Sequence, residues 1–208
     1  MPFALQVEVA ASQDRLEKLI NLRLQPGVNK EEVDARIWDL FGETWAIMFT
    51  DLSGFSRHSA KFGIIHFLQT IYESQRLLVP VIDSYDGILL KIEGDSMMVL
   101  FRSPGKAVEC AIKMQHTLED YNTAKPDEEK ILLCVGIGYG TMLHIGDTDV
   151  FGAQVNASAK LGEDTAKAHE ILVTDAVRDA IGKQGDINFE PIDFVPPGAN
   201  SAFRVKYR

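Results

Sequence analysis

Apolar residues occur along the chain in two spacings, which alternate. Trp45–Thr50 is a short apolar run that leads into Asp51-Leu52-Ser53-Gly54-Phe55, the pattern of a buried strand followed by a turn. Between residues 64 and 85 the spacing is helical, with Ile64, Phe67, Leu68, Ile71, Leu78 and Ile82 on one stripe. Pro80 should kink that helix or bring it towards its end. Gly87–Ile92 alternates, which places Ile88, Leu90 and Ile92 on one face and Lys91 on the other. Met97–Phe101 is apolar throughout and should be covered on both faces. Glu93-Gly94 makes a tight hairpin between these two strands. Ser103-Pro104 opens a helix to about Tyr121, with proline at its first position. A polar loop precedes a strand at Ile131–Tyr139, and a shorter element surrounds Met142–Ile145. Phe151–Gly162 has a helical pattern, Ile171–Thr174 that of a strand, and a helix follows to about Ile181. The tail from Asn188 suggests a final hairpin, and no internal repeat is visible.

Residues 1–44 form a helical extension ahead of a domain spanning 45–208. Leu16, Leu19, Ile20 and Leu24 give one narrow apolar stripe, and Val33, Ile37 and Leu40 give a second. Asn29 with Glu32 three residues on marks a helix start. The extension either packs on the domain or serves as a dimerising or regulatory segment.

The order strand, helix, strand, strand, helix, strand is the ferredoxin-like βαββαβ unit. The fold class is therefore α+β, a mostly antiparallel sheet flanked by helices, with a C-terminal hairpin added. In that unit the first strand lies antiparallel beside the third. Asp51 ends the first and Asp95 begins the third, so topology brings the two carboxylates together. Like charges at that spacing raise one pKa, and a hard divalent cation relieves the repulsion. The loop Leu52–Ser56 leads into a helix whose N–H groups suit phosphate, and Gly54 lets a backbone approach closely. The same residues also fit a surface loop with a helix-capping aspartate.

Composition narrows the partners. The chain has 208 residues, 46% hydrophobic, with a formal net charge of −9. That acidity argues against broad contact with nucleic-acid phosphates, though a metal can supply positive charge to a small anion locally. Cys110 and Cys134 lie in apolar surroundings without metal-ligand spacing and read as reduced core residues. No signal-like or membrane-spanning apolar block is present, so the expected location is cytoplasmic, without a membrane.

Four segments in order carry a family resemblance. Phe49-Thr50-Asp51-Leu52-Ser53-Gly54-Phe55 resembles the first metal signature of class III adenylyl and guanylyl cyclases. Lys91-Ile92-Glu93-Gly94-Asp95-Ser96 resembles their hairpin with the second metal aspartate. Val135-Gly136-Ile137-Gly138 is similar to their next strand. The run from Asp149 through Asn156 to Ser158 is similar to their base-recognition strand and catalytic helix. The likeness spans about residues 45–185.

The resemblance implies a metal site of Asp51, Leu52 and Asp95 holding two Mg²⁺ or Mn²⁺ ions per active site. It implies phosphate contacts at Gly54, Phe55 and Ser56, although Ser56, like His58 and His66, otherwise reads as a helix-start or surface residue. Lys91 and Asp149 would read adenine, since lysine offers only donors and ionised aspartate only acceptors, matching the ring nitrogen and the exocyclic amine. Asn156 would orient the ribose. Four residues on, Lys160 stands where the family usually has arginine, a compact charge in place of a planar fork. The C-terminal loop Val195-Pro196-Pro197-Gly198 lacks the lysine often found there. Family sites lie between two subunits, so one chain with every position filled suggests a homodimer, with a reduced dimer arm between Tyr139 and Asp149. The expected activity is conversion of ATP to 3′,5′-cyclic AMP and pyrophosphate, under an unidentified regulatory partner if any. The alternatives are a non-catalytic cyclase homology domain, and a cyclase using GTP or a pyrimidine nucleotide.

Overall fold

The computed structural model describes residues 2–54, 63–182 and 187–208, with side chains from residue 11. Two helices lead the chain, α1 (Pro2–Arg23) and α2 (Lys30–Phe41). The Asn29 side chain accepts the N–H groups of Glu31 and Glu32 at 3.1 and 3.4 Å and so caps α2. Its buried stripe is Val33, Ile37 and Phe41. Leu40, expected in that stripe, is 51% exposed, because a strict four-residue spacing carries the stripe to Phe41. These residues meet Leu19 of α1, Ile145 and the partly buried Leu16 in one small cluster.

The core unit is β1 (Gly42–Leu52), α3 (Ile64–Ser84), β2 (Ile88–Glu93), β3 (Ser96–Phe101), α4 (Pro104–Asn122) and β4 (Leu133–Ile145). β5 (Asp149–Phe151), α5 (Ala153–Ala159), a π-helical turn at Lys160–Thr165, β6 (Ile171–Thr174), α6 (Asp175–Ile181), β7 (Asn188–Pro191) and β8 (Ala202–Lys206) follow. The sheet order is β2-β3-β1-β4-β6-β8-β7, with β5 paired to β4. The expected βαββαβ topology is present, with β1 antiparallel to both β3 and β4. Pro80 sits inside α3, one turn before its end.

Four expectations are corrected. β4 is one strand from Leu133 to Ile145, where Ile131–Tyr139 and a separate element had been expected. Gly136, Gly138 and Gly140 all lie within the ladder to β1. Phe151 is extended because it pairs with Leu143, and the helix expected from that point begins at Ala153. The helix also stops at Ala159 and gives way to the π-helical turn, where the Ala166 N–H reaches back five residues to the Leu161 carbonyl at 2.8 Å. β2 does not alternate strictly. Its register slips between Leu89 and Lys91, so Leu89 faces Val99 and Lys91 faces Met98. One bulged residue, Leu90, thereby turns Lys91 to the opposite face from Leu89.

The two faces of the sheet differ. Ala46, Met48 and Leu52 of β1 join α3, α4 and α6 in the main core, with Leu78, Val108, Met114 and Val177. The other face carries Trp45, Ile47 and Phe49, with Met142, Val150 and Val155. Here α5 and the π-helical turn lie almost directly on β4. A Cβ on Gly136 would stand 2.2 Å from the Ser158 carbonyl oxygen and 2.3 Å from the Gly162 nitrogen. One on Gly138 would stand 2.5 Å from the Gln154 carbonyl oxygen, and one on Gly162 2.8 Å from that of Phe49. No described helix is long and apolar enough to cross a membrane.

This contact has a measurable consequence. Gly136→Ala forces backbone against backbone, and overpacking of that kind costs about 1–3 kcal/mol or more. For a chain of this size each kcal/mol lowers Tm by about 2–4 °C. Gly105→Ala in α4 meets nothing closer than the Ser103 hydroxyl at 3.5 Å and should leave Tm unchanged or raise it. Equal melting temperatures for the two variants would contradict the close-approach account.

Candidate functional site

The last residues of β1 bring the first carboxylate to the α5 side of the sheet. Thr50 lies opposite Met97, and alternation puts Asp51 on the same face as Phe49. The two-residue turn Gly94-Asp95 joins β2 to β3, with Gly94 at φ 62°. Two bonds fasten this turn to β1. The Met97 N–H donates to the Thr50 hydroxyl at 3.2 Å, and the Ser96 hydroxyl lies 2.7 Å from the Thr50 carbonyl. Asp51 and Asp95 are consequently within hydrogen-bonding reach of each other.

The pair is electrostatically strained without a cation. Burial pushes the Asp51 carboxyl up to about 7, and the Asp95 charge, their mutual hydrogen bond and Glu163 act in the same direction. The Leu52 N–H, donating to Asp51, opposes them. The Leu52 side chain is buried in the main core, so its backbone alone can contribute here. A divalent ion in place of the proton would remove the repulsion, and two carboxylates plus substrate oxygens are the donor set that hard cations accept. No group of three or more His, Cys, Asp or Glu side chains among the described residues is placed to hold a metal.

A second part of the site lies on the same face. The Lys91 ammonium is 3.2 Å from Asp149 Oδ2 and 3.2 Å from Glu93 Oε1. Bonding to Asp149, then to Glu93, raises the Lys91 pKa. Lys91 and Asp149 are 58 residues apart and are joined by the β2 bulge and by β5 returning along β4. Lys91 lines an open cleft with Phe49, Glu93, Ser96, Met98 and Glu163.

Asn156 and Lys160 are both exposed on α5 and its end. Lys160 is occupied by Asp164 on the next turn, Nζ to Oδ2 2.8 Å. Glu163, which sequence reasoning did not single out, accepts a hydrogen bond from Ser96 at 2.7 Å beside the carboxylate pair. The π-helical turn aims it there by inserting one residue. Gly54 adopts φ +80°, a conformation that favours glycine. Phe55, Ser56 and His58 lie outside the described residues. His66 Nε2 is 2.8 Å from the Glu128 carbonyl. Lys206 pairs with Glu190 at 2.7 Å on the far hairpin. Cys110 and Cys134 are buried and unbridged, and burial raises both thiols, to about 12 and about 11.

A model of the adenylate and guanylate cyclase catalytic domain matches residues 41–196. The Rhizobium meliloti (strain 1021) protein named "Putative adenylate cyclase 3" is 28% identical over 144 residues, covering 69% of this chain and 24% of that protein. The chain thus spans about a quarter of that curated relative. Among solved structures, the adenylate/guanylate cyclase/hydrolase from Silicibacter pomeroyi superposes with TM-score 0.70 at 23% identity, covering 80% of this chain and 98% of that one. The guanylate cyclase domain from Catenaria anguillulae in complex with GTP gives 0.67 at 18%, covering 80% and 97%.

The raised Asp51 pKa sets a pH dependence. Between about pH 4 and 7 the folded chain holds a proton on Asp51 that the unfolded chain has lost, so in chelator this group's contribution to stability falls as pH rises through that window. Carboxylates whose pKa is lowered, such as Asp34, Glu43 and Asp175, act at lower pH and are common to wild type and variant. In EDTA, the Tm of Asp51→Asn relative to wild type should therefore climb from pH 5 to pH 7.5. A difference that stays flat across this range would contradict the placement of Asp51.

Proposed function

The chain belongs to the adenylate and guanylate cyclase catalytic domain family, and on that premise we propose that it is an adenylate cyclase working as a homodimer with shared active sites. The observation that carries this reading is the Lys91–Asp149 pair, 3.2 Å apart, whose lysine lines the cleft beside Glu93 and Ser96. Adenine presents a ring acceptor to the lysine and an exocyclic amine to the aspartate. Guanine would meet a donor where it needs an acceptor.

Asp51, Asp95 and the Leu52 backbone would hold two Mg²⁺ or Mn²⁺ ions. Bound there, such ions lower the pKa of the ribose 3′-hydroxyl and neutralise triphosphate charge. Gly54, Phe55 and Ser56 would receive phosphate oxygens. The partner subunit would supply the base-reading Lys91 and Asp149 to that site, together with Asn156 and Lys160, which would orient the ribose and balance charge on the α-phosphate. The 3′-oxygen loses its proton to solvent and attacks the α-phosphorus in line; the bond to the β-phosphate breaks, and pyrophosphate leaves as cyclic AMP forms. Both sites of such a dimer are equivalent.

Residues 1–44 are read as an extension of the catalytic unit 45–208, and as the place where a regulatory partner would act. In support, Leu19, Val33, Ile37 and Phe41 pack around Ile145, which pairs with Asp149 across the β4–β5 turn. One observation favours a second reading, a domain that binds nucleotide without turning it over. Lys160 is engaged by Asp164, so a substrate must displace an internal partner.

The test uses the purified chain with Mn²⁺ and ATP, GTP, CTP or UTP in turn. Cyclic AMP should form from ATP, and Asp51→Ala should abolish it. Lys91→Glu combined with Asp149→Cys should move preference from ATP towards GTP. Lys160→Arg should raise kcat. No cyclic product from any nucleotide, with melting shifts on nucleotide addition, would establish the second reading. ATP turnover surviving the double change would sink the base-reading assignment.

A further inference from the structure

Gln154 is the second residue of α5, and its side chain has no place in the chemistry above. It is nevertheless the polar hub of this face. Its amide oxygen lies 3.2 Å from the Tyr139 N–H and 2.8 Å from the Thr174 hydroxyl, which both donate to it. Its amide nitrogen donates to the Gly198 carbonyl at 3.0 Å. One side chain thus ties α5 to β4, to the end of β6 and to the C-terminal loop.

Each of these partners needs it. β6 accompanies β4 in parallel only from Val135 to Ile137, and the chain then turns into α6. The Tyr139 N–H lies beyond the end of that ladder, and Gln154 supplies its acceptor. Thr174 is fully buried and its hydroxyl needs an acceptor as well. The floor beneath Gln154 is bare backbone. A Cβ on Gly140 would stand 3.0 Å from Gln154 Cγ. The C-terminal loop is pressed onto the same helix start, since a Cβ on Gly198, at φ +97°, would stand 2.3 Å from the Ala153 carbonyl oxygen.

A helix of seven residues has little stability of its own, so its position is set by what it touches. Asn156 is two residues beyond Gln154, and Lys160 six. We propose that Gln154 is a positioning residue that fixes α5 on the sheet and so aims Asn156 and Lys160 at the reacting ribose and phosphate. The proposal rests on the cyclase reading for its effect on turnover and on geometry alone for its effect on the helix.

Gln154→Leu keeps approximate volume and loses all three bonds. Gln154→Glu keeps the two acceptor contacts and loses the bond to Gly198. With Mn²⁺ and ATP, Gln154→Leu should lower kcat about a hundredfold, the scale of an ångström-sized misplacement. KM for ATP, and Kd for the non-cyclising 3′-deoxy-ATP, should stay near wild type because Lys91, Asp149 and the metal carboxylates are untouched. Gln154→Glu should retain more of the rate. Hydrogen exchange of residues 153–160 should quicken in Gln154→Leu while exchange in α4 is unchanged. That exchange measurement needs no activity, so an inactive wild type would end the cyclase reading and still decide the placement of α5. Unchanged exchange across α5, or kcat and KM lost in parallel with global unfolding in both variants, would overturn the proposal.

Discussion

Direct contact between the backbone of β4 and the α5 segment is the constraint on which this structure depends. Gly136 and Gly138 leave no side chain where Ser158, Gly162 and the Gln154 carbonyl press against the strand. A helix resting on side chains would stand several ångströms further out. Because it rests on glycine, the π-helical turn can reach Ser96 through Glu163, and β5 can return along β4 to bring Asp149 to Lys91. The opposite face of the sheet is an ordinary packed core and supplies stability, while the glycine face supplies placement.

That placement has an electrostatic cost, and the cost itself is informative. Asp51 is half-buried, close to Asp95 and within the field of Glu163, and it is held at about 7 by their combined effect. Strongly perturbed carboxyls in a cleft are a mark of functional sites, though structural networks produce them too. Here the neighbouring Lys91–Asp149 pair and the exposed Asn156 give the perturbation a chemical context. Lys160 introduces the opposite tension, since its charge is already answered by Asp164.

Much of this was legible in the sequence, because the signals involved are local. The apolar run of β1, the glycine in the β2–β3 turn and the proline opening α4 each report their own conformation. The meeting of Asp51 and Asp95 follows from strand order. What escaped depends on contacts with distant residues. The bulge at Leu90 is fixed by which β3 residues pair with β2, and nothing in Ile88–Ile92 announces it. The glycines of β4 read simply as part of a strand, and nothing in the local sequence shows that they are positions emptied to admit α5. Phe151 reads as helical until its pairing with Leu143 is known. Glu163 acquires its position from the π-helical turn, whose extra residue is invisible in a pattern of apolar spacing. Leu40 and Phe41 are neighbours at the end of α2, and the four-residue spacing from Val33 and Ile37 buries the second of them.

The central claim is that Asp51 and Asp95 form a strained pair made to exchange a proton for a divalent ion. Titration of the purified chain with Mn²⁺ at pH 7, by calorimetry in two buffers of different ionisation enthalpy, tests it most directly. The account predicts saturable binding with release of a substantial fraction of a proton, and loss of that release in Asp51→Asn. Absence of Mn²⁺ binding, or binding without proton release that Asp51→Asn leaves unchanged, would contradict it.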